Sequence, residues 1–207
     1  MTSRALSLAV LVVLSSAIGA PAQAATGCDL NFPDRDVPRL VPGATGFKSR
    51  YHHLTAVTLQ DVVSRLGGNY RVLYEPLDVP YSVYEVFAGD KQVGYIHGVN
   101  HKGQYGGIQL FIAQEMTGGI TVFYIQKMTS PVAGKFRDPA FGKRFIGVRL
   151  GDFDRFDPVS GKGSGRLAQI ANPAPEAQTD FYSVLRALKK NLVLMDQLVF
   201  SAKPGPP

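Results

Sequence analysis

The chain has 207 residues, 45% of them hydrophobic and 18% charged, which suits one compact domain and excludes a disordered or fibrous protein. A single cysteine excludes an internal disulfide framework and any zinc site built on cysteine pairs. The net charge of +6 is scattered rather than gathered in runs, which argues against nucleic acid and suits an anionic membrane surface or a phosphate-bearing ligand.

At the N-terminus, Arg4 precedes a nearly unbroken apolar run from Leu6 to Ile18, and Ala22-Gln23-Ala24 offers the small-x-small pattern of a signal peptidase site. The run is short for a bilayer about 30 Å thick, so residues 1–24 read as a cleaved signal peptide and the mature protein as exported. Ala25-Thr26-Gly27-Cys28 resembles a lipobox in which Ala25 stands where leucine is usual. Two maturation routes follow: a cut after Ala24, or acylation of Cys28 that ties the protein to a membrane. Losing residues 1–24 removes one arginine and no acid, leaving +5. Residues 25–54, rich in proline and charge, read as an extended lead-in.

Residues 55–200 read as one domain. Thr55 suits a helix cap before Ala56, Leu59, Val62, Val63 and Leu66, and Gly67-Gly68 ends the helix. Tyr84, Val86 and Ala88 then alternate with Glu85 and Phe87, Gly89-Asp90 turns, and Val93, Tyr95, His97 and Val99 return as a second strand. Past a glycine-rich stretch at 103–107, Ile108, Leu110 and Ile112 run to a turn at Thr117-Gly118-Gly119, and Ile120, Val122 and Tyr124 come back. A short helix is expected from Asp138 to Phe145. Phe181, Val184, Leu185, Leu188 and Leu192 form a helical stripe with Lys189 and Lys190 outside it. Residues 201–207 read as a flexible tail. The fold class is α+β: an antiparallel sheet of two consecutive hairpins packed with N-terminal and C-terminal helices.

No residue pattern points to a catalytic acid, base or nucleophile. His52 and His53 are adjacent and face opposite sides of a strand, while His97 and His101 fall at a strand end and in a loop, so the spacing supports no metal site. Gly163-Ser164-Gly165 lacks the context of a nucleophile elbow. Asp152, Asp154 and Asp157 lack the closing glutamate of a calcium loop.

The informative stretch runs from Val83 to Gly147. Val93-Gly94-Tyr95, Gln104-Tyr105-Gly106-Gly107-Ile108, Gly118-Gly119-Ile120-Thr121 and Met128-Thr129-Ser130-Pro131 follow one another in the order of motifs of the extracytoplasmic FMN-binding domain family, and the sequence resembles that family over about two-thirds of the mature chain. The family includes the flavin-carrying subunits of the Rnf and sodium-pumping quinone reductase complexes and the sensor domain of nitrous-oxide-reductase maturation regulators. The resemblance implies FMN as cofactor, an electron-transfer or redox accessory role, and as partner a membrane redox complex or another extracytoplasmic electron-transfer protein. On the residues themselves, Gly106 and Gly107 allow backbone to approach a planar ligand, Thr129, Ser130 and Lys135 suit a phosphate, and Tyr95, Tyr105 and Phe111 suit the flanks of a ring.

One motif departs from the family. Its covalent members esterify FMN to the last threonine of Ser-Gly-Ala-Thr-x-Thr before the C-terminal helix, and the helical stripe registers Ala177-Gln178-Thr179-Asp180 on Ala-Thr-x-Thr. Asp180 thus takes the acceptor position, Thr179 lies one residue away, and FMN is expected to bind non-covalently with Thr179 as a neighbour. Two other readings stay open: a flavin-free sensor or interaction domain of the same fold, and an unrelated small-ligand-binding protein.

Overall fold

The computed structural model describes residues 28–67 and 77–201. The expected signal peptide, Gly68 and most of the expected tail lie outside them. The first described helix, α1 (Pro33–Leu40), and strand, β1 (Gly46–His52), fall in the stretch that the sequence reads as extended. Pro33 at the start of α1 has no N–H to lose there, Asp34 and Asp36 lie in the electropositive first turn, and Asp36 Oδ2 accepts a hydrogen bond from Phe32 N at 3.2 Å. β1 pairs with the strand that follows α2 (Ala56–Leu66), so the sheet begins before residue 55. Thr55 caps α2 by accepting from Thr58 N, and Gly67 ends it at φ 79°.

Five strands form one antiparallel meander in sequence order: β1, β2 (Tyr81–Ala88), β3 (Lys91–Lys102), β4 (Gly107–Gln114) and β5 (Ile120–Met128). Both expected hairpins are present, with a fifth strand outside them. One row of the register runs from Arg50 through Val83, His97 and Ile112 to Phe123.

The strict alternation of side chains gives the sheet two buried faces. On one, Val83, Val99, Leu110 and Ile112 pack with α2 and the long helix α5 (Gln178–Met195). On the other, Tyr84, Val86, Ile96, Phe111 and Ala113 pack with Cys28, Leu30, Val37 and Leu40 from the N-terminal segment. Gly98 makes room for Phe111, whose ring would stand 2.3 Å from a Cβ at that position. Phe111 is therefore a core residue of the second face and flanks no ligand.

The chain between β5 and α5 is irregular. It holds α3 (Ala133–Phe136), α4 (Pro139–Gly142) running into a 3₁₀ turn at Lys143–Phe145, and a small hairpin of β6 (Phe156–Asp157) and β7 (Lys162–Gly163). Asp138 caps α4 through Ala140 N at 2.8 Å. Among the described residues no helix is long and apolar enough to cross a membrane, and no three His, Cys, Asp or Glu residues cluster as metal ligands.

Every residue of the expected stripe on α5 is buried, but so is a second stripe at Asp180, Ser183, Ala187, Lys190 and Asn191. Lys190, which the sequence places outside the packed face, is fully buried and donates to Asn100 O at 3.1 Å. His101 lies within β3 rather than in a loop, and both His97 and His101 are buried beside this stripe. Asn191 Nδ2 bonds to His97 O at 2.8 Å, and His97 Nδ1 bonds to Ser82 O at 2.9 Å, which places the ring proton on Nδ1. A helix laid along β3 buries whatever it carries on two sides, and polar residues there are paired across the seam.

This seam predicts acid sensitivity. Burial, with Lys190 adding repulsion, holds His97 at about 4, and burial with the charges of Arg186 and Lys190 does the same for His101. The unfolded chain takes up these protons near pH 6.5 and the folded protein only near pH 4. Stability is therefore full above pH 6.5, declines as pH falls from 6.5 to 4, and levels below that. Each histidine accounts for a loss of roughly 3 kcal/mol at 1.36 kcal/mol per pH unit. Urea unfolding at pH 7.5, 6 and 5 measures this decline, which His101→Gln should shrink by about half.

Candidate functional site

Three segments meet at one corner of the sheet: the 103–107 turn between β3 and β4, the loop that leaves β5 at Thr129, and the first turn of α5. The turn closes on itself through Gly103 N to Gly106 O at 2.7 Å. Thr129 N donates to Gly107 O at 3.0 Å, so the loop continues the edge of the turn. A Cβ at Gly106 would lie 2.8 Å from Thr129 Cβ and 3.0 Å from its hydroxyl oxygen, so glycine there lets turn and loop touch. Ser130 folds the loop: its Oγ accepts from Val132 N at 3.4 Å and its carbonyl from Ala133 N at 3.2 Å, leading into α3.

Asp180 joins the turn to the helix. Its side chain is fully buried, and Oδ1 accepts from Gln104 N at 2.7 Å. A Cβ at Gly103 would stand 2.9 Å from the same oxygen, so only glycine admits this approach. The partial positive charge at the start of α5 favours the carboxylate, and the charge-assisted bond to Gln104 N offsets part of its desolvation. Asp180 Oδ2 has no hydrogen-bond partner among the described residues.

Thr179 lies on the same turn but is exposed. Successive residues of a helix point about 100° apart, so turning Thr179 inward would rotate Phe181, Val184, Leu185 and Leu188 out of the core. Packing along α5 thus holds Asp180, and not Thr179, against the 103–107 turn. The N-cap residue Ala177 makes no side-chain cap, which leaves the first N–H groups of α5 without a side-chain acceptor at that position.

Lys135, on α3, reaches across to Glu176, with Nζ 2.6 Å from Oε1 and both side chains about half exposed. The lysine holds the glutamate carboxyl below its ordinary range. Seven of the eight expected cofactor residues, namely Tyr105, Gly106, Gly107, Thr129, Ser130, Lys135 and Thr179, therefore lie on the segments that form the corner. Tyr105 stands exposed at the tip of the turn.

Tyr95 does not belong to the corner. It lies eight residues before Gly103 on β3, about 26 Å along an extended strand, and its ring meets Phe200 edge-on at 5.7 Å. The length of β3 is the reason. Sequence spacing also misses Gln104 N as the partner of Asp180 and Glu176 as that of Lys135, since both pairings bridge distant segments and leave no local pattern. Cys28 packs in the second core at 4% exposure, so an acyl chain on its sulfur would have to displace that packing.

No family model and no curated protein matches the sequence. Among solved structures the chain is similar to the crystal structure of Shewanella oneidensis NqrC, with a TM-score of 0.49 and 17% sequence identity over 77% of this chain and 82% of that one. That likeness concerns the course of the chain and adds nothing about chemistry.

The geometry assigns Asp180 a clear energetic role. Asp180→Ala leaves the Gln104 N–H unpaired and should cost about 1–3 kcal/mol, whereas Thr179→Ala at the exposed neighbour should stay within about 0.5 kcal/mol. Urea unfolding gives both values, and amide exchange at Gln104 should accelerate in the first variant alone.

Proposed function

We propose that this chain is an exported accessory module of a membrane-associated electron-transfer assembly, of the extracytoplasmic FMN-binding type, and that it holds FMN at this corner without a covalent bond. The observation that carries the reading is the convergence of motifs far apart in sequence. The 103–107 turn, the Thr129 loop and the start of α5 meet, with Asp180 turned inward where the family's attachment threonine would stand. Its partner is a membrane redox complex or another extracytoplasmic electron-transfer protein. The buried Cys28 thiol favours a mature chain that begins after Ala24 and meets the membrane surface through its partner and its positive charge.

The residues suit a phosphate and do not suit an ester. The N–H groups at the uncapped start of α5 and the hydroxyls of Thr129 and Ser130 would take phosphate oxygens, and Lys135 would supply charge once it turns from Glu176. Gly106 and Gly107 would let the ring approach backbone, and Tyr105 has an exposed face to lay against it. When bound, FMN supplies the electron-transfer chemistry, which the side chains here do not. Asp180 has no hydroxyl to esterify, and its carboxylate already serves Gln104 N.

The second reading is a flavin-free interaction or sensor domain of this fold. It is favoured by the way the corner is closed from within, through Asp180 to Gln104, Thr129 against Gly106, and Lys135 to Glu176.

Titration of the mature protein with FMN, followed by visible absorption, separates the two. The proposal expects saturable flavin bands and complete release of the flavin on denaturation, even after expression with a flavin transferase. Lys135→Ala should weaken binding by roughly 1.5–3 kcal/mol, and Glu176→Gln should strengthen it by freeing the lysine. A protein that takes up no FMN supports the flavin-free reading, and an in-gel fluorescent band lost on Thr179→Val would overturn non-covalent binding.

A further inference from the structure

The outer edge of β5 has a second feature, independent of whether the corner holds flavin. Two adjoining hollows of about 180 and 220 Å³ lie along this edge and share Val122, Phe123, Pro139 and Gly142. α1 bounds the groove on one side through Arg39 and Leu40, and α4 with its 3₁₀ turn bounds the other. The floor is rigid: Phe123 stacks on Phe145 with centroids 4.3 Å apart, and Phe141 meets both rings edge-on. At one end Ile146 is 46% exposed, an apolar side chain with nothing over it among the described residues.

The edge is accessible at Val122, Tyr124 and Lys127, whereas Ile125 and Gln126 between them are buried and Gln126 bonds through its side chain to Asn31 N and Asp29 O. β5 is the last strand of the sheet, and from Tyr124 to Lys127 its backbone has no backbone partner beyond β4 among the described residues. At Ile120 the same edge is already used in strand fashion, Ile120 N donating to Val148 O at 3.0 Å and Gly147 N to Ile120 O at 2.6 Å. Unpaired edges of this kind accept extended peptide, with backbone bonds giving affinity and hollows beside the strand giving selectivity.

Charge selects the occupant. Arg137 and Lys143 line the groove with no ion-pair partner among the described residues, and Arg39 lies 4.5 Å over the ring of Tyr124 while bonded to Asp36. The one acid in the lining, Asp138, is engaged in capping α4. We infer that this groove docks an extended segment of a partner protein in which carboxylates flank one or two large apolar residues. The apolar side chains enter the hollows over Val122 and Phe123, and the carboxylates meet Arg137 and Lys143.

A fluorescein-labelled peptide Glu-Asp-Leu-Phe-Asp-Glu, titrated with the mature protein and read by anisotropy, tests this directly. The expected result is saturable binding that weakens as salt rises, falls at least tenfold in the Arg137→Glu/Lys143→Glu variant, and perturbs the backbone amide resonances of residues 122–127. Both substituted side chains are exposed, and an unchanged circular dichroism melt shows that the variant is folded. Absence of saturable binding up to millimolar protein overturns the inference, as does equal binding by the charge-reversed variant or by a peptide with lysine in place of each acid. Self-association in sedimentation that the same variant abolishes would identify a second copy of this chain as the occupant and overturn it equally.

Discussion

Asp180 places a carboxylate where no water reaches it, between the first turn of α5 and the loop that joins β3 to β4, and much of the molecule follows from keeping it there. A buried charge costs several kcal/mol unless it is met by dipoles and donors. The start of a helix and the Gln104 N–H meet it, and glycine at 103 lets the backbone come close enough. Packing along α5 sets the rotation of the helix, and that contact is made where this rotation brings the carboxylate to the turn. The apolar stripe from Phe181 to Leu192 then faces one part of the core, and the polar stripe through Ser183, Lys190 and Asn191 is pressed onto β3.

The same constraint organises the corner. The helix in this setting presents Thr179 to solvent and starts without a side-chain cap, next to the 103–107 turn. A phosphate and a carboxylate want the same electropositive place at a helix start, and here the inward position is taken. The arrangement suits a ligand held by contacts that form and break. Lys135 and Glu176, paired across the rim, make ligand charge compete with an ion pair that is worth little in water.

Much of this architecture is legible from residue periodicity. The two hairpins announce themselves by alternation and by Gly89-Asp90 and Thr117-Gly118-Gly119; α2 does so by Thr55 and Gly67, and α5 by its apolar stripe. α1 and β1 do not, for physical reasons. The helix carries two prolines and four charged residues in eight positions, and is held by tertiary burial of Val37 and Leu40 rather than by propensity. The strand is an edge with little buried surface: Phe47, Ser49 and Tyr51 alternate with Lys48, Arg50 and His52, but Ser49 breaks the apolar row and Tyr51 is exposed. Lys190 reads as lying outside the packed stripe and His101 as lying in a loop, and only the position of α5 over β3 shows that Lys190, His97 and His101 are buried along one seam. The order of motifs picks out the turn, the loop and the helix start that come together at the corner, whereas Tyr95 of Val93-Gly94-Tyr95 falls outside it because β3 is long.

We propose that FMN sits at the corner formed by residues 103–107, 129–135 and 176–180. Adding FMN to uniformly ¹⁵N-labelled mature protein and following the backbone amide resonances tests it most directly. The account predicts shifts concentrated at Gln104, Gly106, Gly107, Thr129, Ser130 and the first turn of α5, reversible on dialysis. Shifts confined to the far end of β3 near Tyr95 and Phe200, or no shifts at saturating FMN, would contradict it.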